Sequence, residues 1–241
     1  MAEKLPSLSF FFPAHNEEGN VEAMVGDALR VLPTFADDLE VIVVDDGSRD
    51  RTPEIADGLA AKFSNVRVIH HQPNRGYGGA VRSGLRASTK RFIFYTDGDR
   101  QFHLEDLQRL VDALPGVDAV IGYRVKRRDP SHRVFIAAVY NRVIATLFGG
   151  GFRDVDCSFK LFRREVFEQV PLDRVRSDGA FFSAELLVNL RVSGVTMTQV
   201  GIPHYPREIG ENTGASPKKT LRAIRDLLLL RLALWLRPPT R

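Results

Sequence analysis

A chain of 241 residues, 44% hydrophobic and 27% charged, suits one globular α/β domain with an ordinary packed core. Its single cysteine, Cys157, excludes an internal disulfide and a metal site built on several cysteines. The net charge of +4 is uneven: residues 218–241 carry seven basic side chains against one acidic, and residues 123–142 carry six against one, so the remainder is acidic. Two local basic segments on an acidic body suggest an anionic partner touched at particular places, with two solvated basic surfaces as the competing reading.

The apolar run Leu8–Phe12 ends at Pro13 without a cleavage pattern, which reads as a first strand rather than a signal peptide. Pro13-Ala14-His15-Asn16-Glu17-Glu18 follows, with Asn16 as the expected cap of a helix through Val21, Met24, Val25, Ala28 and Leu32. The β-branched run Val41–Val44 forms a second strand and ends in Asp45-Asp46-Gly47-Ser48. Thr52-Pro53 marks the next helix start, and Val66–Ile69 a third strand. The turn Asn74-Arg75-Gly76-Tyr77-Gly78-Gly79 leads into a helix near 80–87. Phe92–Tyr95 is a fourth strand, running into Thr96-Asp97-Gly98-Asp99. A helix over 104–114 and a strand over 119–121 complete the alternation. Beyond them come a basic loop, 124–133, a helix near 134–148, a break at 149–151 and mixed pieces to about 202.

Such alternation predicts a mostly parallel sheet with helices on both faces. Ligands of these sheets bind at the carboxyl ends of the strands. The polar clusters 13–18, 45–50, 72–79 and 96–101 fall at those ends.

Three of these clusters carry recognisable chemistry. Asp97 and Asp99, two residues apart after an apolar strand, can meet a hard cation that bridges the phosphates of a nucleoside diphosphate; the same tripeptide also makes an ordinary turn. Asp45 and Asp46 can accept hydrogen bonds from a nucleobase or ribose, and burying both without partners is costly. Around Arg75 and Gly76 the glycines let backbone approach an anion before a helix start. The third glycine of a dinucleotide fingerprint is replaced by Val81 and the first strand has no glycine loop, which counts against a dehydrogenase.

In joint order and spacing, PAHNEE (13–18), VVDDGSRDRT (43–52), NRGYGGA (74–80) and TDGDRQ (96–101) resemble the family 2 glycosyltransferases of GT-A fold. The resemblance implies that Pro13, Ala14, Glu17, Asp46 and Arg75 line a nucleotide pocket. It implies that Asp97 and Asp99 hold Mg²⁺ or Mn²⁺ with Gln101 nearby. Within the family, IGYRVKRRDPSHR (121–133), DVDCSFKLFRR (154–164) and HYPREIGENTGASP (204–217) resemble the polyprenyl-phosphate hexose synthases. That implies Arg124, Arg133 and Arg207 facing phosphates, with Asp156 and Glu185 toward the acceptor. The expected activity is inverting transfer of a hexose from a GDP- or UDP-sugar to a polyprenyl or dolichyl phosphate. A lipid phosphate already carries about −1.5 to −2 charges and needs arginines rather than a general base.

The expected organisation is a catalytic domain over 1–217 and a basic amphipathic helix over 218–241. From Leu227 to Leu236 the helix is apolar except for Arg231. Ten residues rise only about 15 Å, half a hydrocarbon core, so it suits an anionic membrane surface rather than a span. Leucines packed on the protein's own core or on a second subunit are the competing use of the same pattern. No nucleic-acid partner is expected, and the expected location is peripheral, on the cytoplasmic face of the membrane. A nucleotidyltransferase, a transferase with a soluble sugar or protein acceptor, and a non-enzymatic nucleotide-sugar-binding subunit are the alternatives.

Overall fold

The computed structural model describes residues 4–125, 131–149, 151–179, 181–207, 209, 225–232 and 234, with the backbone alone at 131–136. Among the described residues, seven strands form one sheet in the order β3-β2-β1-β4-β6-β5-β7. They are β1 Leu5–Ala14, β2 Ala36–Asp45, β3 Val66–His70, β4 Phe92–Tyr95, β5 Ala119–Val125, β6 Lys160–Arg163 and β7 Met197–Pro203. The helices that position the site are α1 Val21–Val31, α2 Thr52–Lys62, α3 Gly76–Ala87, α4 Leu107–Asp112, α5 Ser131–Phe148, α6 Val166–Gln169 and α7 Phe182–Val192.

The central strands are apolar on both sides because both faces are covered. Phe10, Phe12, Val41, Val43 and Phe94 point into the core under α1, α2 and α4. Phe11, Ile42, Val44, Ile93 and Tyr95 point the other way, under α3 and α7. This is the period-2 alternation of a pleated strand with a hydrophobic partner on each side. Gly84 lets α3 lie directly on the Phe11 ring, which a Cβ there would strike.

β1 pairs in parallel with both β2 and β4, so Ala14 sits beside Asp45 and Phe11 beside Tyr95. The chain winds outward from β1 to β3, then returns to β4 on the other side. The crevice between β1 and β4 is therefore the topological switch point, where open α/β sheets bind ligands. β6 runs antiparallel between β4 and β5, the one reversed strand among the described pairings.

Two sequence expectations change. Asn16 does not cap α1, which starts at Val21 after Asn20; Asn16 instead adopts φ 55° and clips two loops together. The helix expected over 104–114 is a 3₁₀ turn, Leu104–Asp106, followed by the short α4.

Away from the crevice, Glu40 is buried and accepts Ser9 Oγ at 2.6 Å, Arg67 Nη2 at 2.6 Å and Thr89 N at 2.7 Å. Burial alone would raise its pKa, but these donors outweigh it and hold the carboxyl at about 2. A carboxyl depressed in the fold adds stability above its unfolded value and loses it as pH falls toward the folded one. Stability in urea is therefore expected to drop between about pH 4.5 and 2. Glu40→Gln should flatten that part of the profile; an unchanged profile would remove Glu40 as its source.

Candidate active site

The loops after β1 and β2 are stitched into one surface. Asn16 N donates to Ser48 Oγ at 2.9 Å, Glu17 N to Thr52 Oγ1 at 2.8 Å, and Arg49 N to Asn16 Oδ1 at 2.8 Å. Gly47 turns this loop at φ 71°, with the Asn74 backbone so close that a Cβ would lie 2.9 Å from its nitrogen. His15, Asn16, Asp45, Ser48, His70 and Asn74 line a cleft of about 570 Å³ here.

The two adjacent aspartates have different surroundings. Asp45 uses both oxygens on the protein: Oδ1 takes Ser48 N at 3.0 Å and Oδ2 meets His70 Nδ1 at 2.9 Å. Burial would raise its pKa, but the Ser48 and His70 bonds bring it below the usual carboxylate range. Asp46 meets His71 Nδ1 at 2.7 Å and accepts Arg75 N at 2.8 Å, both on Oδ1. His70 and His71 were not singled out in the sequence. Each lies 25 residues from its aspartate, and only the parallel pairing of β2 with β3 brings them together.

At the end of β4, three consecutive residues bury polar atoms without a hydrogen-bond partner: Tyr95 Oη, Thr96 Oγ1 and Asp97 Oδ1. Such atoms cluster where a ligand completes the set. Burial pushes the Asp97 carboxyl up, and the Ser158 and Tyr77 hydroxyls with Lys160 and Arg124 oppose it. Burial, then the Asp97 charge, pushes Asp99 up to about 7. A cation bound between two carboxyls confined in a low dielectric would let both ionise. Among the described residues no group of three His, Cys, Asp or Glu side chains could hold a metal ion. A carboxylate pair such as Asp97 and Asp99 leaves positions for phosphate and water, and its oxygen chemistry would fit Mg²⁺ or Mn²⁺ shared with a substrate.

Arg207 reaches this pair from the far end of the chain. Its Nη2 lies 2.6 Å from Glu17 Oε1 and its Nη1 3.9 Å from Asp99 Oδ2. Asn20 Nδ2 holds the other Glu17 oxygen at 2.7 Å. Gln101 fixes the segment, donating Nε2 to the Tyr205 carbonyl at 3.0 Å and accepting Tyr205 N at 2.9 Å. Tyr205 stacks on His103 at 3.9 Å between centroids. Glu17, Asp97, Asp99, Gln101 and Arg207 thus share one floor, with Asp46 and Arg75 on the flank formed by β2 and α3.

Arg124, expected to face phosphate, is committed to Asp154: Nε to Oδ2 at 2.6 Å and Nη2 to Oδ1 at 2.8 Å. Burial works against its charge, yet the Asp154 pair raises its pKa. Asp156 is exposed, and its charge acts on Tyr77, Arg124 and Tyr140 around the crevice. Glu185 is buried and accepts Arg176 N and Ser177 N at 3.0 and 2.7 Å, so it shapes a loop. Lys160, which was not singled out, is fully buried on β6 and donates to the carbonyls of Val155 and Cys157. Lys126, Arg127, Arg128, the Arg133 side chain, residues 210–224 and Trp235 lie outside the described residues.

Residues 225–232 are helical. Leu227 and Leu230 are buried against the α7 side of the core, while Leu228, Leu229 and Leu232 are 61%, 56% and 51% exposed. Ser177 Oγ donates to Asp226 Oδ2 at 3.2 Å and ties this segment to the loop before α7. On α5, Val139 and Val143 are also exposed, beside the buried Ile144. No helix among the described residues is long and apolar enough to cross a membrane.

The model of glycosyl transferase family 2 matches residues 9–171. The glycosyltransferase AglD of Haloferax volcanii is 32% identical over 83% of this chain, which spans 33% of that longer protein. The polyprenol monophosphomannose synthase of Mycolicibacterium smegmatis is 32% identical, over 82% of this chain and 77% of its own. In fold, the chain matches glucosyl-3-phosphoglycerate synthase of Mycobacterium tuberculosis, solved with Mn²⁺, UDP and phosphoglyceric acid. The TM-score is 0.69 at 20% identity, covering 98% of this chain and 80% of the other.

Proposed function

The chain belongs to glycosyl transferase family 2, and from that premise we propose that it moves a hexose from a nucleotide-sugar to a polyprenyl phosphate, with inversion at the anomeric carbon. The observation that carries this reading is the half-buried pair Asp97 and Asp99 at the switch point, with a buried, unpartnered carboxylate oxygen on Asp97 and an arginine alongside. The Mycolicibacterium smegmatis relative, named a polyprenol monophosphomannose synthase, supports the acceptor. The Mn²⁺ and UDP of the Mycobacterium tuberculosis enzyme support a divalent metal and a nucleotide.

In this reading Pro13, Ala14, Glu17, Asp45, Asp46, Arg75 and the backbone at Gly76 form the donor pocket. Asp97 and Asp99 would hold Mg²⁺ or Mn²⁺, with Gln101 beneath them; the ion would offset the charge that develops on the departing diphosphate. Arg207, fixed by Glu17, adds a second positive charge on the same side. The acceptor's phosphate oxygen forms the new bond to the anomeric carbon as the bond to the diphosphate oxygen breaks. Because that phosphate is already ionised, no side chain has to remove a proton. Arg133 and the basic residues 126–128 serve the acceptor. Arg124 secures the strand end from which that segment departs.

The terminal helix and α5 present Leu228, Leu229, Leu232, Val139 and Val143 outward. Leucines flanked by the basic residues of 218–225 suit contact with an anionic bilayer, where the acceptor resides. The corresponding location is peripheral, on the cytoplasmic face, with residues 218–241 as the membrane-facing element of a 1–217 catalytic domain.

The test is transfer of radiolabel from UDP-glucose, GDP-mannose and UDP-N-acetylglucosamine into polyprenyl phosphate, with Mn²⁺ or Mg²⁺ and with chelator. One donor is expected to label the lipid, and chelator to abolish the labelling. Label appearing only in a water-soluble product would overturn the lipid acceptor.

A further inference from the structure

His71 is 1% exposed, on the segment that leaves β3. Its two ring nitrogens are both engaged: Nδ1 lies 2.7 Å from Asp46 Oδ1 and Nε2 2.9 Å from Ser83 Oγ. A carboxylate oxygen accepts, so Nδ1 donates to Asp46, while the Ser83 hydroxyl can either donate to or accept from Nε2. Either way both ring nitrogens of His71 are satisfied, and the ring is held in place between Asp46 and Ser83.

The order serine, histidine, aspartate is that of a hydrolytic relay, but Ser83 lies within α3, whose backbone N–H groups are used by the helix. No free pair of donors is available there for an oxyanion. The relay orients Asp46 rather than activating Ser83.

The rest of Asp46 is equally fixed. Its N–H donates to Ala14 O at 2.8 Å, and its carbonyl accepts Asn74 Nδ2 at 2.6 Å. Arg75 N shares Oδ1 with His71. Among the described residues nothing donates to Asp46 Oδ2, whereas both oxygens of Asp45 are used.

We propose that His71, held by Ser83, is the positioning residue that aims Asp46 Oδ2 at an N–H of the donor's nucleobase, so that Asp46 rather than Asp45 reads the base. This rests on the donor-pocket reading above. A preset carboxylate oxygen favours a base with a ring imide or amide N–H, as in uracil or guanine, over one with a bare ring nitrogen there, as in cytosine or adenine. Binding then costs no reorientation of the acid.

UDP, GDP, CDP and inorganic pyrophosphate are titrated calorimetrically into the full chain with Mn²⁺. UDP or GDP is expected to bind and CDP to bind at least about tenfold more weakly. His71→Leu should weaken the preferred nucleotide by about ten- to fiftyfold and leave pyrophosphate within about twofold, because a lost buried partner affects only the group it held. His71→Asn, whose amide nitrogen can replace Nδ1, should recover most of the loss. Asp46→Asn should weaken the nucleotide as His71→Leu does, and combining the two should add little. Equal weakening of pyrophosphate, or no loss in His71→Leu while Asp46→Asn loses binding, overturns the positioning role and leaves the donor pocket standing. Normal nucleotide binding by Asp46→Asn instead removes the donor pocket itself, and the proposal with it.

Discussion

Asp97→Asn is expected to lower turnover by about a hundred- to a thousandfold at saturating metal, while making the metal-free protein more resistant to heat. Both effects have one cause. Asp97 buries an oxygen without a partner, and its charge helps push Asp99 up to about 7. A cation that would hold both carboxylates loses half of its protein ligands in the variant. Without a cation, the same substitution removes a like charge from a confined site. A carboxyl raised in the fold costs stability only where it is ionised, so the cost is absent near pH 4 and complete above about 7. The gain in melting temperature should therefore appear in chelator at pH 8 and vanish near pH 4. Retained metal-dependent transfer by Asp97→Asn would remove the metal assignment, whatever the melting curve shows.

Arg124→Ala should cost about 3–5 kcal/mol of stability, which for a chain of this size lowers the melting temperature by roughly 10 °C. The guanidinium and Asp154 form a two-pronged pair whose side chains are only 15% and 6% exposed. Removing one member leaves the other's charge in a poorly solvated place, which costs more than the pair contributes. Replacing both, as Arg124→Leu with Asp154→Leu, should recover much of the loss. A catalytic contact with phosphate predicts something different: turnover would fall with the melting temperature intact, and the double replacement would restore nothing. Thermal melts and turnover measured on the same three proteins separate the two roles.

The order of elements was legible because apolar runs, glycine turns and proline starts are local signals. Phe92–Tyr95 is a strand with the expected boundaries, and the carboxyl-end clusters converge on the β1–β4 crevice. The region after 149 was not resolved in the same way. β6 is only four residues long, with Lys160 fully buried in it, so neither alternation nor polarity marks it as an inner strand. Its place between β4 and β5 is set by packing that no local window contains.

The side chains divide along the same line. Residue types and their spacing determined that Asp45, Asp46, Asp97 and Asp99 lie at strand ends, because acidic side chains directly after an apolar run mark where a buried strand gives way to a loop. They also determined the alternating layers, since a strand covered on both faces is apolar throughout. Only the tertiary structure decided which acid is free to act. Asp45 is used up by His70 and Ser48, while among the described residues Asp46 keeps an oxygen without a donor. It paired Glu17 with Arg207 across 190 positions, and Arg124 with Asp154 across 30. The physical reason is that a charge takes its meaning from what lies within a few ångströms of it, and in a parallel sheet those neighbours come from distant parts of the chain.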